Sequence, residues 1–318
     1  MIRLARLAFA PAALLAALPA ASTLAQGAPS EAPYTVVESG RSFARLQDAV
    51  DAIGEGRGTI RFGSMRFADC AIQAAGDVTY QAAVPGQSVF DGVACEGKGA
   101  LVLRGRSARI EGLVFANIRV SDKNGAGVRL ERGNLEVSQS WFRDSEQGIL
   151  SGDDPASTIT IDKSTFTRLG TCEGSGCAHS IYIGNYGALT VTRSRFEAGT
   201  GGHYAKSRAG RITIRDCSFD DSRGRGTNYM IDLADGATGE IRGNWFVQGR
   251  DKENYSAFIA VAAEHRNHAS GGLVVEGNNA RFGPGIDRRS AFVADWSGDA
   301  VKLGANTLGT GMVRYEKR

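Results

Sequence analysis

Val137-Ser138-Gln139-Ser140-Trp141-Phe142 returns as Ile161-Asp162-Lys163-Ser164-Thr165-Phe166, Val191-Thr192-Arg193-Ser194-Arg195-Phe196, Ile214-Arg215-Asp216-Cys217-Ser218-Phe219 and Ile241-Arg242-Gly243-Asn244-Trp245-Phe246. The phenylalanines are spaced 24, 30, 23 and 27 residues apart. A period of this length is one coil of a solenoid, whose repeats bury their apolar sides only by stacking on their neighbours. Function is then expected on the flank of the stack, where outward side chains from successive coils converge.

Working outward, Gly112-Leu113-Val114-Phe115 is the first clear copy, and Val274-Val275-Glu276-Gly277-Asn278-Asn279 carries the pattern on. Short β-branched runs such as Thr59-Ile60-Arg61-Phe62 and Ala100-Leu101-Val102-Leu103 alternate with glycine-rich turns, which predicts strands. The gaps are too brief and polar for helices between strands, which disfavours a Rossmann or TIM architecture. A parallel β-helix fits better than a propeller or sandwich. Ser42 is expected to cap a helix from Phe43 to Ile53, stopped by Gly54, that would lid the open end. Met312 to Tyr315 is expected to be a final strand or cap.

Residues 1–25 have the layout of a secretory signal: Arg3 and Arg6 precede an apolar stretch and small residues. Residues 26–58 then form an arm and the capping helix, and residues 59–318 the β-helix. The run before residue 25 is short for a membrane span and contains two prolines, so stable membrane insertion is not expected. Its removal leaves 35 of the 37 basic side chains against 34 acidic ones, a balance that gives nucleic acid no support as a partner. Five cysteines suit an oxidising compartment. Cys70 and Cys95 are one coil apart and are expected to pair, and Cys172 and Cys177 to pin a projecting loop. Cys217 occupies the slot of Ser140, Ser164, Ser194 and Asn244, where core packing is expected.

These aromatic units in register resemble the pectate-lyase-like superfamily of right-handed parallel β-helix proteins over nearly all of the mature chain. The resemblance implies an all-β, single-stranded right-handed parallel β-helix with an N-terminal capping helix. It also implies a periplasmic or secreted protein acting on polysaccharide as a lyase, glycoside hydrolase, uronate epimerase or esterase; a monomer is expected. Noncatalytic carbohydrate-binding members exist too. The paired aspartates of polygalacturonases and the calcium-binding aspartates of pectate lyases are not recognised.

Laying Ile181, Ala205 and Ile231 over one another as inward residues makes Tyr182, Lys206 and Asp232 outward neighbours, with Arg129 lower in the column. His179 and His203 would open adjacent strands, and Tyr186, Tyr204 and Tyr229 could stack on sugars. The plain alternative is solvent-facing ion pairs, Lys206 with Asp232 and Arg208 with Asp220 or Asp221, contributing about 0–1 kcal/mol each. Histidines that merely satisfy strand starts belong to the same alternative.

The residue types fit β-elimination of an acidic polysaccharide or oligosaccharide without metal or cofactor. Arg129 and Arg208 would grip a uronate carboxylate. Lys206 or His203 would serve as base, Tyr182 or Tyr229 as acid, and Asp232 as orienter. His179, Tyr204, Tyr229, Glu264 and His265 would contribute to binding. A hydrolase would need two carboxyl groups, with Asp232 and Glu264, Asp220 or Asp221 as candidates.

Overall fold

The computed structural model describes residues 32–318; the expected secretory signal lies outside the described residues. Each coil lays down one strand in each of three sheets. The first sheet has twelve strands and the other two have ten each. Every neighbouring pair is parallel except at the start, where Tyr34–Val36 lies antiparallel between Arg41–Phe43 and Arg57–Phe62. The strand Met312–Lys317 closes the third sheet against Ser290–Asp295.

The aromatic repeat builds the second sheet's inner wall. Phe90, Phe115, Phe142, Phe166, Phe196, Phe219 and Phe246 are fully buried. Their rings stack at centroid spacings of 4.7–5.1 Å. The strand spacing of about 4.8 Å falls in the range of offset-stacked rings, so one phenylalanine per coil fills the wall. Each adjacent pair adds about 0.5–1.5 kcal/mol beyond area burial.

The slot two residues earlier turns the chain from the first sheet into the second. Just before it, Gln139, Lys163, Arg193 and Asp216 take left-handed backbone conformations, and Gly243 and Gly277 do so where the repeat permits glycine. Ser164 shows how the turn is held. Its Oγ donates to Asp162 O at 2.9 Å and accepts from Ser140 N at 3.3 Å, which links two coils. Asn244 and Asn278 perform the same task with amides. Cys217 is a buried free thiol in this ladder, and its backbone N–H donates to Asn244 Oδ1 at 2.9 Å.

The N-terminal cap differs from the expectation. The helix spans Leu46–Ile53 rather than starting at Phe43, because Arg41–Phe43 is strand and Ser42 Oγ lies 3.1 Å from Thr35 Oγ1. Asp69, a coil away, accepts the Leu46 N–H at 2.7 Å in place of a local cap. Leu46, Ala49 and Val50 are buried beneath it, and Gly54, with φ of 58°, ends it. The segment expected to be only an arm thus contributes a strand. Both expected disulfides are present, Cys70–Cys95 between coils and Cys172–Cys177 across a short loop.

Candidate functional site

The third sheet places one column of outward side chains in the order Arg129, Leu150, Tyr182, Lys206, Asp232 and Ala260. Inward Ile149, Ile181, Ala205, Ile231 and Ile259 hold this register by filling the core behind it. A slip of one residue would exchange the two sets, so the apolar pattern fixes which polar groups face outward. Outward does not mean solvated here: Asp232 is 2% exposed and Lys206 8%.

Three carboxylates meet two cations around this column. Lys206 Nζ donates to Glu264 Oε1 and lies 3.7 Å from Asp232 Oδ2. Arg208 is held on three sides: Nε donates to Tyr182 Oη at 2.8 Å, one terminal nitrogen to Asp235 and the other to Glu264 Oε2. Asp235 also accepts from Asn267 Nδ2 at 2.8 Å and has His265 Nδ1 at 3.4 Å. Lys206 and Arg208 both lie over the Tyr182 ring, 5.3 and 5.7 Å from its centroid. The pairs that engage Asp232 and Asp235, both nearly buried, are costlier to break than the exposed kind, because removing the cation leaves a carboxylate charge out of water.

The histidines form a second ladder beside the column. Rings stack from His179 to His203 at 4.9 Å and from His203 to Tyr229 at 5.4 Å. His179 Nδ1 accepts the backbone N–H of His203 at 2.9 Å, and His203 Nδ1 accepts that of Tyr229 at 3.1 Å. A backbone N–H can only donate, so each neutral imidazole carries its proton on Nε2. His203 Nε2 lies 3.4 Å from Asp232 Oδ2. Its lone pair is therefore spent on the backbone, and its proton points at the aspartate.

Burial sets the protonation states. Desolvation, opposed by Lys206, pushes the Asp232 carboxyl up to about 7. Desolvation, reinforced by Lys206, lowers His179 to about 3 and, together with His179, drives His203 well below its usual value. Desolvation of Glu264 acts upward, yet hydrogen bonds from Lys206 and Arg208 hold it below the ordinary carboxylate range. Two carboxyl groups around one lysine are thus moved in opposite directions.

A cavity of about 360 Å³ opens on this face, lined by His179, Tyr182, His203, Lys206, Asn228 and Glu253 together with Gly176 and Cys177 of the disulfide loop. A larger concavity of about 620 Å³ lies elsewhere, between Glu55, Arg104, Arg106, Arg132 and Asp154. There Arg104 pairs with Glu96 and Glu131, and Arg106 with Asp77. The smaller cavity is the better candidate because buried, perturbed titratable groups converge on it.

Several expected residues lie elsewhere. Arg129 shares the column, but Leu150 separates it from Tyr182, and its Nε is buried without a hydrogen bond. Tyr204 is 1% exposed; its hydroxyl donates to Asp221 Oδ1 at 2.6 Å and accepts from Gly199 N at 3.0 Å. It therefore cannot stack on a sugar, because strand alternation fails at the corner before Ala205. Tyr186 is likewise turned into the core. Tyr229 is mostly buried, with Asn254 donating to its hydroxyl at 2.9 Å. His265 reaches Asp235 from an exposed position.

Arg208 pairs with neither Asp220 nor Asp221. Asp221 is buried against Tyr204, Thr227 and Lys252. Asp235 and Asn267 were not singled out by the sequence; the only local hint was the pair of acids Asp232 and Asp235 flanking a strand end. Asp235, Glu264 and His265 bring possible ligand atoms within 4.8 Å of one another, but Arg208 already pairs with both carboxylates.

Among solved structures, an alginate lyase from Paenibacillus sp. str. FPU-7 superposes with a TM-score of 0.60 at 15% identity, covering 85% of this chain and 94% of that one. Geobacillus virus E2 ORF18 superposes with a TM-score of 0.58 at 14% identity, over 85% of this chain. This chain spans about half of that viral protein, 55% of its length. Likeness at this identity concerns fold alone. No curated protein is a significant sequence match. Residues 94–291 match the family described as the right handed beta helix region, and with the parallel three-sheet coil this places the chain in the right-handed β-helix family.

Proposed function

We propose that this protein is an exported polysaccharide lyase that cleaves an acidic, uronate-containing glycan by β-elimination. The observation that carries the reading is the convergence of Arg208 and Asp232 on Tyr182 and Lys206, the two of these residues that line the cavity. The two disulfides and the likeness in fold to an alginate lyase agree with it.

Elimination needs the C5 proton removed, the uronate carboxylate neutralised and the departing oxygen protonated. Lys206 removes the proton. Asp232, whose Oδ2 lies 3.7 Å from Nζ, and Glu264 stabilise the ammonium that forms. His203 is the poorer base because its lone pair binds the Tyr229 backbone; it steadies Asp232 instead. The C5–H electron pair forms the C4–C5 double bond and expels the C4 oxygen. Tyr182 returns a proton to that oxygen, since its hydroxyl accepts from Arg208 and keeps its own hydrogen free to donate. Arg208 offsets the carboxylate charge that grows in the transition state.

The test is a panel of uronic-acid polymers assayed for ultraviolet-absorbing unsaturated ends. Saturated reducing ends would replace this reading with hydrolysis. One observation favours that second reading: Asp232 and Glu264 both reach Lys206 Nζ while their protonation is pushed apart, a pattern that suits an acid and a nucleophile. Epimerisation would yield neither product but would change the uronate composition of the polymer.

A further inference from the structure

Resting on the elimination reading, we propose that Lys206 and Arg208 form a carboxylate subsite which Glu264 fills in the free protein and which a uronate carboxylate takes over on binding. The three acids around the two cations are not equivalent. Asp232 is sealed behind Lys206 at 2% exposure. Asp235 is fixed by Arg208, Asn267 and His265 at once. Glu264 stands outermost, its side chain 36% exposed, with both oxygens spent on the cations: Oε1 on Lys206 and Oε2 on Arg208.

That is the way a planar ligand carboxylate would bridge an ammonium and a guanidinium. The Glu264 and His265 backbone N–H groups are tied to Ala234 O at 3.0 Å, so exchange requires only rotation of the glutamate side chain. When it leaves, Arg208 keeps its orientation through Tyr182 and Asp235. A ligand carboxylate would then meet a prearranged pair of donors.

Exchange of one carboxylate for another conserves charge, so the free protein does not hold two unpaired buried cations. It also makes Glu264 a competitor. A tethered carboxylate competes at an effective concentration of millimolar or above.

The experiment is calorimetric titration of the full chain and of Glu264→Gln with tetramers of mannuronate, galacturonate and glucuronate, each beside its carboxyl-reduced counterpart. The expected result is at least one acidic tetramer binding Glu264→Gln on the order of tenfold tighter than the parent, with no such gain for its neutral counterpart. No gain for any acidic tetramer, including no binding at all, overturns the subsite, as does an equal gain for the neutral sugars. Glu264→Ala repeats the test should the glutamine variant fold poorly by circular dichroism. Tighter acidic binding without unsaturated product from the parent keeps the subsite and removes the elimination chemistry. Product formation without tighter binding does the reverse.

Discussion

The second sheet and the middle of the third are built on the same coil and use it in opposite ways. In the second sheet one phenylalanine per coil repeats from Phe90 to Phe246, and each ring meets a copy of itself. In the third sheet the outward column changes at every step, from Leu150 to Tyr182, Lys206, Asp232 and Ala260. Repetition yields stability, because identical apolar groups stack at the strand spacing without strain. Variation gathers unlike groups about 4.8 Å apart in a poorly solvated wall, which is costly for stability and useful for chemistry. The difference teaches that the periodic wall is scaffold and the aperiodic one is where activity should be sought.

The sharpest way to break the comparison is Lys206→Ala. Unsaturated product formation should fall at least about a thousandfold, equivalent to roughly 4 kcal/mol of barrier, while circular dichroism stays native. Unchanged turnover would remove Lys206 from the mechanism. Phe166→Ala tests the other wall. It should cost about 3–5 kcal/mol in urea unfolding, with the specific activity of the folded fraction intact. A smaller loss would mean that the stack can collapse around the gap.

Asp232→Asn should act through pH. Burial pushes the Asp232 carboxyl up to about 7 from the ordinary 3.8, so this group's contribution to stability declines as pH rises through that window. His179 and His203 work in the opposite sense. Folding keeps them neutral well below 6.5, where the unfolded chain takes up protons, so their contribution is lost on acidification. The asparagine variant removes only the first effect. It should gain on the order of a few kcal/mol above pH 7 and lose stability more steeply than the parent between about pH 6.5 and 4. Parallel pH profiles of the urea midpoint would contradict the buried-acid assignment.

Asn244→Ala should cost about 1–3 kcal/mol, because it strips the Cys217 N–H of its buried acceptor. Arg195→Ala, on an exposed arginine paired with Glu197 at 2.6 Å, should change stability by less than about 1 kcal/mol. Equal costs for these two would deny that the turn ladder differs from the solvated surface.

Much of the scaffold was legible because the solenoid repeats its instructions. The aromatic spacing announced the coil, and a separation of one coil announced the Cys70–Cys95 pair. Strand alternation placed Tyr182, Lys206 and Asp232 in one column, which the register reproduces. The same alternation misplaced Tyr204, because it fails where the chain turns a corner. The helix does not start at Ser42 because the local capping signal lost to strand pairing, and the replacement cap comes from Asp69, 23 residues beyond Leu46.

By itself the sequence determined the coil, its period, which residues of the repeated strands face the core, and the outward column that follows, since these depend on local alternation summed over many repeats. Only the tertiary structure decided which charges meet. Glu264 follows Lys206 by 58 residues, and no periodic rule says that its carboxylate bridges Lys206 and Arg208. Nor could composition tell that Asp232 is sealed from water, which pushes its carboxyl well above the ordinary range. Those properties depend on how much solvent the neighbouring coils and loops exclude, which is set by packing across the stack.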